Sequence, residues 1–295
     1  MLEFSDLEIK DREKAVKCLE KSDFMGCEYS FANNLAWKRL ADTKACFFKD
    51  FYILRSVSPD GSPYFVMPSG EGNYSELFAE LKKVSGFCGV PLRISGVTQR
   101  SLPLFEELFS GQYTVTPDRD NSDYIYSTKN LAELGGRKYH SKRNHLARFG
   151  RTDYEYSPMT ENDFSDCILF TALAYNSKYS ENDPSLIAEQ YALNTYFTFF
   201  DRLGLKGGVI RIDGKVCAVT IGEKLNSDTF CVHTEKADTS FEGIYAGINN
   251  CFARSEAMDC KYINREEDLG IEGLRKSKLS YHPDFILTKN IIEFK

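Results

Sequence analysis

The sequence has no long apolar run, no closely paired cysteines and no acidic residue in its most basic segment. Cys167–Ser177 and Gln190–Phe200 stay uncharged for only eleven residues each. A membrane helix needs ~18, so no integral membrane segment is expected. Charge from Glu3 onward gives an N-terminus unlike a secretory signal. Nine cysteines are scattered from Cys18 to Cys260 without any C-x-x-C spacing. That excludes a disulfide scaffold and a zinc-ribbon pattern, and it predicts buried thiols in a reducing cytoplasm with no metal ligands. A net charge of −6 argues against a general nucleic-acid binder.

What is present is a chain able to fold. Hydrophobic residues make up 42% and aromatics 14%, enough for a full core. Its 295 residues suit one large domain or two ordinary ones. Arg137, Lys138, Lys142, Arg143, Arg148 and Arg151 lie within fifteen residues without an acid. The Gly135-Gly136 break predicts a helix starting near Arg137, with Tyr139, Leu146 and Phe149 as its apolar stripe. The cations are either a solvated face balancing an acidic body or a site for phosphates.

The element pattern repeats. The first half reads as helices Asp11–Lys21 and Phe31–Leu40, then strands Ala45–Phe48, Phe51–Val57 and Tyr64–Met67. Helix Tyr74–Ser85, strand Leu92–Ser95, helix Gln99–Phe109 and strand Tyr113–Thr116 follow. The second half reads as helices Glu161–Asn176 and Ser185–Leu203, then strands Gly208–Ile212, Val216–Lys224 and Thr229–Lys236. Asp213-Gly214 and Asn226-Ser227-Asp228 mark the hairpin turns. Helix Gly243–Met258, strand Tyr262–Asn264, helix Ile271–Leu279 and strand Phe285–Thr288 close it. This order predicts an α+β fold of two GNAT-like acyltransferase units in tandem, with mixed sheets flanked by helices. The boundary falls near 128, giving a non-catalytic unit 1–128 and a catalytic unit 129–295.

Four stretches carry candidate chemistry. In FCVHTEKA, His233 and Glu235 share one strand face, and either suits a base that deprotonates an attacking amine. In FEGIYAGINN, Gly243, Tyr245 and Gly247 open a helix whose positive end suits a donor phosphate, although G-x-x-x-G also serves close packing. The Q/R-x-x-G-x-G/A pattern of acetyl-CoA-binding GNATs is absent. In NREEDLGIEGLRKSKLSYHP, Glu266, Glu267 and Asp268 could hold an amine, or could match the dipole of the next helix, and Arg265 and Arg275 are further substrate-binding candidates. Asp268 is a candidate catalytic residue, and Tyr281 or His282 a candidate to protonate a leaving group. Lys138, Lys142, Arg143 and Arg148 are the candidate donor-phosphate ligands.

GRKYHSKRNHLARF, HTEKA and INREEDLGIEGLRKSKLSYHP resemble the signatures of a bacterial family grouped with the C-terminal domain of phosphatidylglycerol lysyltransferase. The resemblance implies a Fem-like tandem GNAT fold and aminoacyl transfer from aminoacyl-tRNA. It places the tRNA acceptor end near the basic segment and implies no tightly bound cofactor. Acyl-CoA is the other donor, the acceptor is a small molecule, lipid or peptide, and a non-enzymatic RNA-binding module is the competing reading.

Overall fold

The computed structural model describes residues 2–176 and 184–295, and the chain divides into two compact units. The first comprises Met1–Asp123, Glu267–Gly270 and Leu287–Lys295, and the second Tyr124–Glu266 and Ile271–Ile286. Strands Tyr113–Ser127 and Phe285–Phe294 each contribute residues to both.

In the first unit the Ser58–Ser62 turn folds Phe51–Val57 back onto Pro63–Val66 as an antiparallel pair. Pro63–Val66 then runs parallel to Arg93–Thr98, which pairs antiparallel with the C-terminal strand through Lys289↔Thr98 and Ile292↔Ile94. Between these strands, helix Tyr74–Phe87 starts where the Asn73 side chain accepts the Glu76 N–H, a cap worth ~1 kcal/mol. Its Leu77, Phe78, Leu81 and Val84 stay on one helical face. They pack with Phe51, Phe65, Ile94, Phe105 and Phe294 into one core.

The second unit is built on the antiparallel meander Lys206–Ile212, Lys215–Lys224 and Thr229–Ala237. Asp213 and Gly214 both take positive φ, as a tight hairpin turn requires. At the next turn Asn226 Oδ1 accepts the Asp228 and Thr229 N–H groups. Thr229–Ala237 pairs parallel with Tyr262–Asn264, which pairs antiparallel with Ile125–Ser127. Helices His140–Phe149 and Ile244–Glu256 pack beside this sheet around Phe149, Ile210, Ile244 and Ile248.

The fold is α+β, with mixed sheets flanked by helices, as the element order implied. Several details differ from the sequence reading, among them strand Glu155–Pro158 and helix Thr128–Glu133, which it lacked. Tyr113 begins a strand that runs to Ser127, where only Tyr113–Thr116 was expected. The intervening PDRDNSD is polar and looks like a loop, yet its strand is held by sheet pairing that propensity cannot register. The last strand likewise continues from Thr288 to Phe294. The segment at Arg137 opens with a turn of 3-10 helix before the α-helix begins at His140. The expected uncharged run Cys167–Ser177 ends at a residue outside those described. Among the described residues no helix is long and apolar enough to cross a membrane.

Candidate functional site

In the second unit Thr229–Ala237 and Tyr262–Asn264 pair only as far as Cys231↔Asn264. Beyond that rung the first strand continues for six residues, and the chain after Asn264 leaves it. Where they part, Arg265 Nη2 donates to Glu235 Oε1 at 3.0 Å, and Asn249 Nδ2 donates to Glu235 Oε2 at 3.2 Å. The guanidinium lies over the rings of Tyr281 (4.7 Å) and Tyr126 (5.8 Å). Burial opposes its charge, but Glu235 outweighs this and raises its pKa. Arg265 Nη1 and Asn249 Oδ1 are buried there without a hydrogen-bond partner, one a donor and the other an acceptor. Such orphans are rare in a folded interior.

Lys142 Nζ sits 3.7 Å from the Tyr281 ring centroid. Burial, and then the charge of Arg265, lowers its pKa to about 8. Tyr281 is itself buried, and burial pushes its phenol up to about 12 against the opposing pull of Arg265. Lys278 Nζ donates to the Arg265 carbonyl at 2.5 Å, and the Tyr126 hydroxyl donates to the Lys278 carbonyl at 2.8 Å. These bonds fix the backbone that carries Arg265.

His233 occupies a second polar pocket of the same unit. Ile221 pairs with Thr234 and Gly222 with Val232, so His233 is the extra residue of a β-bulge. Its Nδ1 lies 2.9 Å from Glu266 Oε1 and its Nε2 3.1 Å from Glu223 Oε1. Burial disfavours the charge, but hydrogen bonds to Glu223 and Glu266 overcome it and raise the pKa to about 9. The ring is therefore an imidazolium at neutral pH, with both N–H groups engaged. It offers no lone pair to a substrate in this state, which disfavours the role of general base.

The three consecutive acids do not converge. Glu266 faces His233, and its positive φ of 58° is held where Asn264 Oδ1 accepts its N–H at 2.6 Å. Glu267 and Asp268 belong to the first unit. Glu267 Oε2 accepts from the Cys27 thiol at 3.0 Å. Fully buried Asp268 accepts from Arg119 Nη1 at 3.1 Å and from the Gly270 N–H at 2.9 Å, bonds that fix a turn. Arg275 is half-buried on the helix Glu272–Leu279.

The donor candidates separate too. A Cβ on Gly243 would lie 2.3 Å from the His145 carbonyl oxygen, and one on Gly247 would lie 2.5 Å from the Phe149 ring. Both glycines serve close packing of helix against helix, and Tyr245 between them is exposed. Arg143 Nη1 donates to the carbonyls of Leu134 (2.5 Å) and Gly136 (2.6 Å), and Arg148 pairs with Glu242. Arg137, Lys138 and Arg151 are exposed and form no ion pair among the described residues.

The first unit holds a buried charge cluster that the sequence reading missed. Lys289 Nζ is 2.7 Å from Asp123 Oδ1, 2.6 Å from Glu28 Oε2 and 3.5 Å from Cys27 Sγ. Gly26 and Gly96 leave room for the Glu28 carboxylate, since a Cβ on either would fall within 2.6 Å of it. Burial, opposed by Lys289, raises the Glu28 pKa to about 7. A single charged residue inside an apolar strand, as in LTKNII and SDYIY, was the available signal.

No curated protein matches this chain. Among solved structures, a conserved protein of unknown function from Bacteroides thetaiotaomicron is 37% identical over 100% of both chains, with a TM-score of 0.94. L-PGS from Bacillus licheniformis shares the fold at a TM-score of 0.67 and 13% identity, covering 97% of this chain and 92% of that one. FemX does so at 0.58 and 10% identity, covering 98% and 96%. The profile of the family described as phosphatidylglycerol lysyltransferase, C-terminal, matches residues 20–291. With that match spanning nearly all of its length, the chain belongs to the phosphatidylglycerol lysyltransferase C-terminal family.

Proposed function

We propose that the second unit is an acyltransferase that moves an aminoacyl group from aminoacyl-tRNA to an acceptor nucleophile. The observation that carries this reading is the parting of Thr229–Ala237 from Tyr262–Asn264, with the buried, unpartnered Arg265 Nη1 at the opening. A donor there can polarise an acyl carbonyl and stabilise the oxyanion formed when a nucleophile adds to it. Glu235 holds the guanidinium in place, and Asn249 Oδ1 offers an acceptor to an N–H of the bound group. Lys142, with its lowered pKa, can take the proton the nucleophile loses. The tetrahedral intermediate then collapses, the new acyl bond remains and the donor oxygen leaves with a proton.

Two further features support the donor class. The family's name denotes lysyl transfer. Exposed Arg137, Lys138 and Arg151 offer phosphate ligands at the two ends of the basic segment. The test incubates the protein with tRNAs charged with radiolabelled amino acids, and separately with acyl-CoAs, in the presence of amine and lipid acceptors. Loss of label from tRNA, abolished in Arg265→Gln, is expected. Turnover of acyl-CoA alone would replace the donor. Salt-sensitive tRNA binding without turnover, unchanged in Arg265→Gln, would sink the enzymatic reading in favour of an RNA-binding module.

A further inference from the structure

Asn249 and Asn250 are adjacent and both buried on helix Ile244–Glu256, yet they are used differently. Asn250 Nδ2 donates to the carbonyls of Leu131 and Ala132, both at 2.8 Å, which ties this helix to helix Thr128–Glu133. Asn249 Nδ2 donates to Glu235 Oε2 at 3.2 Å, and its Oδ1 has no hydrogen-bond partner among the described residues. Exchanging the two ends of the carboxamide would set Oδ1 against a carboxylate oxygen, acceptor against acceptor. Glu235 therefore fixes which end is which.

The same carboxylate holds Arg265 Nη2 through its other oxygen, and Arg265 Nη1 is likewise unpartnered among the described residues. One carboxylate thus orients a donor and an acceptor that both remain unused. A buried, unpaired polar atom costs the fold its desolvation, a cost that a ligand supplying the missing partner would remove.

A donor beside an acceptor is complementary to a group with an acceptor beside a donor. An aminoacyl ester has that arrangement, since its carbonyl oxygen and its α-nitrogen are attached to neighbouring carbons. A plain acyl group, such as the acetyl of a thioester, offers only the carbonyl oxygen and leaves Asn249 Oδ1 unpaired. Lys142, on helix His140–Phe149, serves the nucleophile in the acyl-transfer reading, so Asn249 is left to the acyl group itself.

We infer that Asn249 is the specificity-determining residue of this site, its Oδ1 accepting an N–H from the α-nitrogen of the acyl group while Arg265 Nη1 holds the carbonyl oxygen. This rests on the acyl-transfer reading and narrows it to acyl groups with an α-amine, whatever carrier delivers them. A site built to hydrogen-bond an N–H rejects the analogue lacking it, because its own buried polar groups are then stranded.

The test measures binding to the full chain by ligand-observed NMR titration, without tRNA or acceptor. The probes are methyl esters of the protein amino acids, each paired with the des-amino methyl ester of the same carbon skeleton. At least one amino-acid ester is expected to bind roughly 10–100-fold more tightly than its des-amino partner. Asn249→Leu is expected to erase that preference by weakening the amino-acid ester alone. A merely structural role would weaken both probes alike and preserve the preference. The wild-type comparison decides the matter if the variant fails to fold. Equal affinity for the paired esters, binding of neither, or a preference that survives in Asn249→Leu overturns the inference. Preference for the amino-acid ester without turnover of any charged tRNA supports this recognition and overturns only the transfer reading. Turnover without that preference overturns the inference alone.

Discussion

Arg265 Nη2 donates to Glu235 Oε1 at 3.0 Å, tying the residue that follows strand Tyr262–Asn264 to the neighbouring strand Thr229–Ala237. The pair spans the opening between strands Thr229–Ala237 and Tyr262–Asn264, where a sheet hydrogen bond would otherwise continue. Only about a tenth of either side chain is exposed. Removing one partner therefore leaves an uncompensated buried charge. Glu235→Gln and Arg265→Gln are each expected to cost about 3–5 kcal/mol in urea unfolding. The double variant Arg265→Met/Glu235→Leu costs clearly less than the two single losses combined, since both charges leave together. Additive losses would show that the two side chains do not act as a pair.

The glycines at the start of helix Ile244–Glu256 give a steric prediction. Gly247→Ala would push a methyl group into the Phe149 ring and is expected to cost about 1–3 kcal/mol. Gly243→Ala adds the strain of φ +85° to a clash with the His145 carbonyl, so it costs more. Gly135→Ala, with nothing within 4 Å of its Cβ, is the control and stays near wild type. Thermal unfolding of the three variants ranks them, and equal melting temperatures would refute the packing role.

Lys142 is expected to titrate at about 8 when followed by side-chain NMR, well below ordinary lysines. Its folded pKa lies below the ordinary lysine value of 10.5, so the protein bears the cost of a partly buried ammonium below about pH 8. That cost is relieved as pH rises from about 8 toward 10.5. Lys142→Met removes this contribution to the pH dependence. A lysine Nζ signal titrating above 10 at this position would contradict the geometry around Tyr281 and Arg265.

Glu28 gives a stability prediction of its own. Its folded pKa of about 7 exceeds the ordinary 4.5, so its protonated form stabilises the fold. That contribution is complete below about 4.5 and is lost as pH rises through about 7. Lys289 keeps Asp123 as a partner at 2.7 Å, so Glu28→Gln leaves the ammonium paired. The variant is expected to flatten the pH dependence of urea stability between 4.5 and 7. An identical slope in wild type and variant would assign that dependence to other carboxylates.

Local signals were easy to read where chemistry is local. Asp213-Gly214 announced its hairpin because left-handed backbone favours such residues. Tyr74–Ser85 was read as a helix, and Leu77, Phe78 and Leu81 are its buried face. Arg265, Glu235, Lys142 and Tyr281 were each visible as candidates, and the structure brings them together. The strand at PDRDNSD was not visible, because its conformation comes from pairing with distant strands. Nor was the dispersal of Glu266, Glu267 and Asp268. Adjacent residues look like one site in a sequence, but the backbone here sends each carboxylate to a different partner.

The sequence by itself determined most element types, the hairpin turns and the acidic body with one basic segment, since these follow from periodicity, turn chemistry and charge. Only the tertiary structure decided which polar groups meet. Asn249 and Arg265, or Cys27 and Lys289, come together through contacts between residues far apart in the chain. The neighbours met there then set the charges: burial lowers the Lys142 pKa to about 8, while hydrogen bonds to Glu223 and Glu266 overcome burial and raise that of His233. Burial acts on a position in space, and a position along the chain does not reveal it.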